Sequence, residues 1–534
     1  MTIAETLLVG GRVLTLDPVR PSATAVAIKD GTIAWVGDAA GAREWRGART
    51  TVIDLDGATL TPGLVDGHTH PVSGVDAAGG LDLSGCRTVD DLRAALAAAV
   101  RDVGRGDWVE GHALDHNVFG GRRISRDLID DVLDGVPAFL RLYDAHSALA
   151  GSAALEAAGI TGPRAFDQRA AVVCDADGRP TGHLLEHAAM DLVRRLIPPA
   201  DRSARRRRLL DLLASMAATG LTGGHVMDGQ PDALALAAEI EEDGDLPLRL
   251  RFAPWCMPGD DLDAVRALQR EHGRRWSVGA VKFFVDGTVE GGTAWLEEPD
   301  CHGENTDSFW RDPAEYTRAV HKLAADGVQT VTHAIGDAAV KHALDSLETA
   351  ERTSVRHRIE HIETVGRTQI DRFASLGVVA SMQPAHCTYA RADQSDGWSR
   401  RLGPERARRA WRCRDLREAG AILVLGSDWP VAHFDARETL VAARIRTFPG
   451  SGAAPVNPAQ ALTPRMALEG MTTHAALAAG EPSQTGRITP GSRADLTAFA
   501  VNPLRATSSE LADAPVRLTL VDGRLTHIAD DGPR

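Results

Sequence analysis

Two histidines stand one residue apart in the stretch TLTPGLVDGHTHP, Thr59 to Pro71. The apolar run before them reads as a short buried strand. In extended chain, residues i and i+2 project to the same face, so His68 and His70 can grip one ion. Other groups of matching chemistry end further strand-like runs: His333 in QTVTHAI, His361 in HRIEHI and Asp428 in ILVLGSD, with Lys282 inside AVKFFV. Imidazole and carboxylate are the nitrogen and oxygen ligands of zinc-like ions, and an open coordination position lets a water act as a nucleophile near neutral pH. Asp428 is suited to bind an ion and to take the proton from that water. The set reads as a hydrolase's arrangement.

Lys282 is the odd member, because an ammonium repels cations. Its apolar neighbours disfavour the charge, and a neutral amine can add carbon dioxide to form a carbamate, an anionic oxygen ligand able to bridge two metals. The other use of such a lysine is a structural ion pair. Only four lysines (Lys29, Lys282, Lys322, Lys341) stand among 59 basic residues. A position needing merely a cation would hold arginine in this chain, whereas carbamate chemistry requires a primary amine.

The elements that must position these groups alternate between apolar strand-like runs and Ala/Leu/Arg-rich helical stretches, the pattern of βα units around a parallel sheet. The runs are 63–70, 220–227, 248–255, 278–287, 329–335, 357–362, 377–383 and 421–428. Eight strands predict an α/β fold, a (β/α)₈ TIM barrel, whose functional groups belong at the C-terminal strand ends. The gap of about 150 residues after the first run is too long for one crossover, so a large insertion is expected at about 72–200, overhanging the mouth. Short alternating runs with Gly-Gly and Asp-Gly breaks fill both chain ends, which predicts hairpins paired into one small β-sandwich. The expected division is 1–60 and 481–534 for the sandwich and 61–480 for the barrel.

A net charge of −14 disfavours a nucleic-acid surface. The one basic run, Arg205 to Arg208, sits in a helical pattern and reads as a solvated face. Six cysteines lack any CxxC spacing, which points away from a disulfide framework or thiolate zinc site. Neither a basic-then-apolar leader nor an 18-residue apolar run is present, so a soluble cytoplasmic protein without a membrane partner is expected.

The motifs PGLVDGHTHP, VKFFVDGTVEGGTA, THAIGDAAV, RHRIEHIE, SMQPAH, GSDWPV, LTPRMAL and GSRADLTAF span residues 62–499. In them the chain resembles the amidohydrolase superfamily, and within it the YtcJ-like metal-dependent hydrolases of amidohydrolase family 3. The resemblance implies a barrel with a β-sandwich built from both ends. It implies His68 and His70 as the first metal pair, Lys282 as the bridging carbamate, His333 and His361 as second-metal ligands, and Asp428 as catalytic base. His146 resembles a family segment near the substrate, and Glu186 stands where the family has an acidic residue. Asp286, Gln383 and His386 fall in family motifs and join the substrate-contact candidates, with Trp429 as cavity wall. Ala145, Ser147 and Gly151 depart from the family's pattern, and no arginine precedes Thr293-Ala294; these changes touch the pocket and leave the ligands alone.

The expected activity is hydrolysis of a C–N bond other than a peptide bond: an amide, an N-acyl or N-formyl amine, or a cyclic amide. One or two Zn²⁺ ions, or other divalent metals, serve as cofactor, with Lys282 N-carboxylated. The partner is a small-molecule substrate, and a homodimer is the default assembly. The alternatives are another reaction on the same fold (esterase, deaminase, isomerase or decarboxylase) and a non-catalytic scaffold, which the complete ligand set disfavours.

Overall fold

Apolar runs bracketed by helices give two sheets of parallel strands in the computed structural model, which describes residues 3–104, 106–229 and 232–530. One sheet pairs Leu64–Thr69, Leu221–Val226, Arg249–Phe252 and Trp276–Val278. The other pairs Val281–Phe284, Thr330–Ala334, Arg358–His361, Val379–Met382 and Leu423–Leu425. Backbone hydrogen bonds join the two sheets at two places. At one, Lys282 N donates to Pro254 O (2.9 Å) and Cys256 N to Lys282 O (2.8 Å). At the other, Asp428 N donates to His68 O (2.7 Å) and His70 N to Trp429 O (2.9 Å). This is a TIM-barrel-type α/β fold.

The expected fourth strand is two segments, Trp276–Val278 and Val281–Phe284. The break has a local cause: the Arg251 guanidinium donates to Gly279 O (2.6 Å) and lies where any Cβ at 279 would stand. Helices between strands follow ordinary rules. Pro313–Ala325 is capped by the Asp312 carboxylate, carries proline in its first turn where no donor is needed, and buries Tyr316, Ala319, Val320 and Leu323.

Both chain ends contribute to one six-stranded sheet. Leu496–Phe499 pairs with Thr59–Pro62 on one side and with Val516–Val521 on the other. A four-stranded sheet of Thr32–Gly37, Ala25–Lys29, Thr6–Val9 and Thr51–Asp54 shares its apolar cluster, in which Leu8, Val26 and Ile28 meet Leu60, Leu496 and Leu518. After the first parallel strand the chain builds a separate six-stranded sheet from residues 81–185, including Val109–Leu114, Ala138–Leu142 and Ser147–Ala150.

The basic run lies on the helix Arg202–Ala218, where Arg205 pairs with Asp76 and Asp232, and Arg206 with Asp243. All six cysteines are free. Among the described residues no helix is long and apolar enough to cross a membrane.

Candidate metal centre

The first and last parallel strands deliver the first ligand group. His68 and His70 leave one strand with ring centroids 5.3 Å apart, and their Nε2 atoms approach Oδ1 of Asp428 at 3.4 and 3.2 Å. A second group gathers on the other Asp428 oxygen, where His361 Nδ1 and His386 Nε2 each lie 3.7 Å from Oδ2. Within each trio the ligand-type atoms lie within 4.8 Å of one another. Asp428 and His361 both hold left-handed backbone, φ 59° and 71°, which costs an L residue about 1–2 kcal/mol.

The donor set fits a divalent ion. Nε2 of His68 and Nε2 of His386 are buried with no hydrogen-bond partner, a condition that costs about 1–3 kcal/mol per group. Both nitrogens face carboxylate oxygens just beyond hydrogen-bond reach. A cation between them satisfies nitrogen and oxygen at once.

His333 stands beside this centre, its ring 4.5 Å from that of His361. Its Nε2 faces the Gly287 carbonyl at 3.1 Å, and it belongs to neither trio. Lys282 is 1% exposed, with Nζ 5.2 Å from the Phe284 ring centroid. It has no ion pair among the described residues, so it lacks the partner that a structural ion-pair lysine needs. Burial lowers its pKa to about 8.

Burial also pushes His68 well down, with the Lys282 cation adding to the effect. His361 falls for the same first reason, helped by His333. Burial acts against the charge on His70 too, but the carboxylates of Asp228 and Asp428 outweigh it and hold the ring up at about 9. Burial opposes the charge of Asp428, yet His68 and His70 hold its carboxyl below the usual range.

A supporting layer orients these groups. Glu360 Oε2 lies 2.6 Å from Nδ1 of His68, and the Arg358 guanidinium clamps Glu360 while donating to Gly67 O (2.7 Å) and Ser381 Oγ (3.0 Å). Asp228 accepts the Val72 amide (2.7 Å) and stands 3.6 Å from His70 Nδ1. Asp66 accepts from Ser427 N and Oγ, tying the first strand to the last, and burial lifts its pKa to about 6. Sequence reasoning missed Glu360, Arg358, Asp228 and Asp66. For the first pair a signal existed: charged residues at i and i+2 of a short strand, flanking Ile359 and just before the candidate ligand His361.

His68, His70, Lys282, His333, His361 and Asp428 all line one cavity of 530 Å³, whose wall also includes His146, Tyr143 and Arg141 of the inserted sheet. A side pocket of 40 Å³ adds His386, Glu290, Glu363 and Trp398. Thus His146 and His386 line cavity walls, whereas Glu186, Asp286, Gln383 and Trp429 stand behind them. Glu186 holds His146 Nδ1 (2.8 Å) and accepts from Thr293 Oγ1. Asp286 accepts the amides of Trp295, Ile335 and Gly336; burial raises it to about 7. Gln383 Oε1 lies 2.9 Å from His361 Nδ1. The Trp429 ring packs on Gly74. His225, near the end of the strand Leu221–Val226, is buried with Nδ1 2.7 Å from the Arg358 guanidinium.

Comparison with known proteins agrees with this architecture. The chain is 27% identical to the putative amidohydrolase YtcJ of Bacillus subtilis over 97% of its own length and 98% of that protein. It is 27% identical to the N-substituted formamide deformylase of Arthrobacter pascens, covering 98% of both chains. The crystal structure of a metal-dependent hydrolase from Pyrococcus horikoshii OT3 superposes with a TM-score of 0.72 at 26% identity, over 94% of this chain and 99% of that one. The family model for the amidohydrolase family matches residues 51–527, and the chain belongs to that family.

Proposed function

We propose that this protein is a metal-dependent hydrolase that cleaves a C–N bond of a small molecule: an amide, an N-acyl or N-formyl amine, or a cyclic amide. The observation that carries the reading is the convergence of His68, His70 and Asp428 with ligand atoms within 4.8 Å, one of them a buried nitrogen without a partner. The name of the formamide deformylase relative supports N-formyl amines as one candidate class. In this reading residues 61–480 form a closed (β/α)₈ barrel, the insertion at about 72–200 walls the cavity, and residues 1–60 and 481–534 form a β-sandwich.

His68, His70 and Asp428 would hold one zinc ion and His361 and His333, with His386 beside them, a second, and Lys282, as a carbamate, would add an anionic oxygen ligand. A nitrogen-rich set of this kind suits zinc. Bound zinc supplies Lewis-acid polarisation of the scissile carbonyl and lowers the pKa of a water. Asp428 would take a proton from the attacking water as the water's oxygen bonds to the carbonyl carbon. It then delivers the proton to the nitrogen as the C–N bond breaks, giving an acid and an amine. Glu360 and Gln383 hold their imidazoles in place, and the insertion's wall limits water around the reacting atoms.

A panel of N-formyl amines, N-acyl amines, cyclic amides, esters and aminated heterocycles, assayed with zinc-loaded protein, tests this reading. Turnover of an amide class that is lost in Asp428→Asn supports it. Turnover confined to esters or aminated heterocycles rejects it.

A further inference from the structure

We infer that Arg141 is the recognition point for a carboxylate carried by the substrate, so that the protein's amides are anionic ones; the inference rests on the hydrolase reading above. Arg141 lies on the strand Ala138–Leu142, and Phe139, Arg141 and Tyr143, at alternate positions, all line the 530 Å³ cavity that holds the candidate metal ligands. Its guanidinium carbon stands 5.4 Å from the Phe139 ring centroid. Among the described residues that guanidinium makes no side-chain hydrogen bond and no ion pair. Arginine stays charged at all working pH values, so a largely buried guanidinium without a counter-charge is a site prepared for an anion.

The acids around it are engaged elsewhere. Asp76 takes Nε and Nη2 of Arg205 at 2.7 and 2.9 Å, and Asp191 pairs with Arg194 at 2.8 Å. Asp144 faces His116 at 3.0 Å. Glu110 acts on Arg141 only from beyond ion-pair distance, and burial pushes its carboxyl toward the neutral form. His112, on the neighbouring strand Val109–Leu114, also lines the cavity and has no side-chain hydrogen bond among the described residues.

The geometry selects a carboxylate over a phosphate. A planar guanidinium matches a carboxylate with two parallel hydrogen bonds, whereas a phosphate dianion calls for a further free cation, and the other arginine on this wall, Arg194, is already paired with Asp191 at 2.8 Å. Phe284, Trp255, Met190 and Met257 also line the cavity, so an apolar group accompanies the carboxylate. The inferred substrate class is an amide that bears a carboxylate and an apolar side group.

Calorimetric titration of the zinc-loaded protein with N-acetylphenylalanine and with its neutral carboxamide tests this. The acid is expected to bind at least about 10-fold more tightly than the carboxamide. The preference should fall to about one in Arg141→Met and survive in reduced form in Arg141→Lys, which also serves should the methionine variant fail to fold. Equal affinities in the wild type, no binding of either probe, or a preference that persists in Arg141→Met overturns the assignment. Displacement of the acid by inorganic phosphate at lower concentration than by acetate overturns the choice of carboxylate. An acid preference without turnover of any amide leaves the subsite standing and removes the hydrolase reading. Turnover of amides with no acid preference does the reverse.

Discussion

Oε2 of Glu360 lies 2.6 Å from Nδ1 of His68, and neither side chain has any exposed surface. A carboxylate on Nδ1 fixes the proton there and leaves the lone pair on Nε2, the nitrogen that faces Asp428. Arg358 keeps Glu360 in place through contacts of 2.9 and 3.2 Å. Glu360→Gln is therefore expected to weaken zinc binding about 10- to 100-fold, as read by competition with a chromophoric chelator. Unchanged affinity contradicts the orienting role.

Lys282 gives a second test. It is buried, unpaired among the described residues, and lowered to about pH 8 by burial, so it reacts with carbon dioxide more readily than an ordinary lysine. Zinc loading in ¹³C-bicarbonate is expected to produce a carbamate carbon resonance that is absent from Lys282→Arg. Full zinc loading and turnover in bicarbonate-free buffer would exclude the bridge.

Acid stability should depend on His357, far from the metal centre. Its Nδ1 accepts from Thr330 Oγ1 at 2.9 Å and from Thr330 N at 3.2 Å, a role open only to the neutral ring. Burial lowers its pKa from 6.5 to about 4. Between these values the unfolded chain binds more protons than the folded one, so the stabilisation is complete above pH 6.5 and is lost as pH falls toward 4. The urea midpoint should drop between pH 7.5 and 5, and the drop should shrink in His357→Gln. An identical drop in both proteins would assign the acid sensitivity to other groups.

Gly74 makes a steric prediction. A Cβ there would lie 1.9 Å from the Trp429 ring, next to Asp428 in sequence. Gly74→Ala must displace the ring, costing about 1–3 kcal/mol as an overpacked site and lowering turnover. A thermal midpoint equal to that of the wild type would show that the ring moves freely.

Much of this was readable in the sequence because the relevant rules are local. His68 and His70 share a face through strand alternation, and Asp522-Gly523 forms the expected tight hairpin between Val516–Val521 and Arg524–Ile528, with φ values of 52° and 69°. What escaped was set by distant contacts. Glu360 meets a histidine 292 positions away, the fourth strand is split by an arginine from its neighbour, and His386 comes within 3.7 Å of Asp428 only after the chain has folded. His225 points into the Arg358 network for the same reason: strand ends are visible in sequence, but the inward partners of each side chain are not.

The central claim is that the cluster around Asp428 holds a catalytic divalent ion. Elemental analysis of protein purified without chelators, paired with turnover of an N-formyl amine before and after dialysis against a chelator, tests it most directly. The account predicts one or two zinc-class ions per chain, loss of turnover with the ions, recovery on adding zinc, and no recovery in Asp428→Asn. Retained turnover in protein stripped of divalent ions, or a chain that binds none, would contradict it.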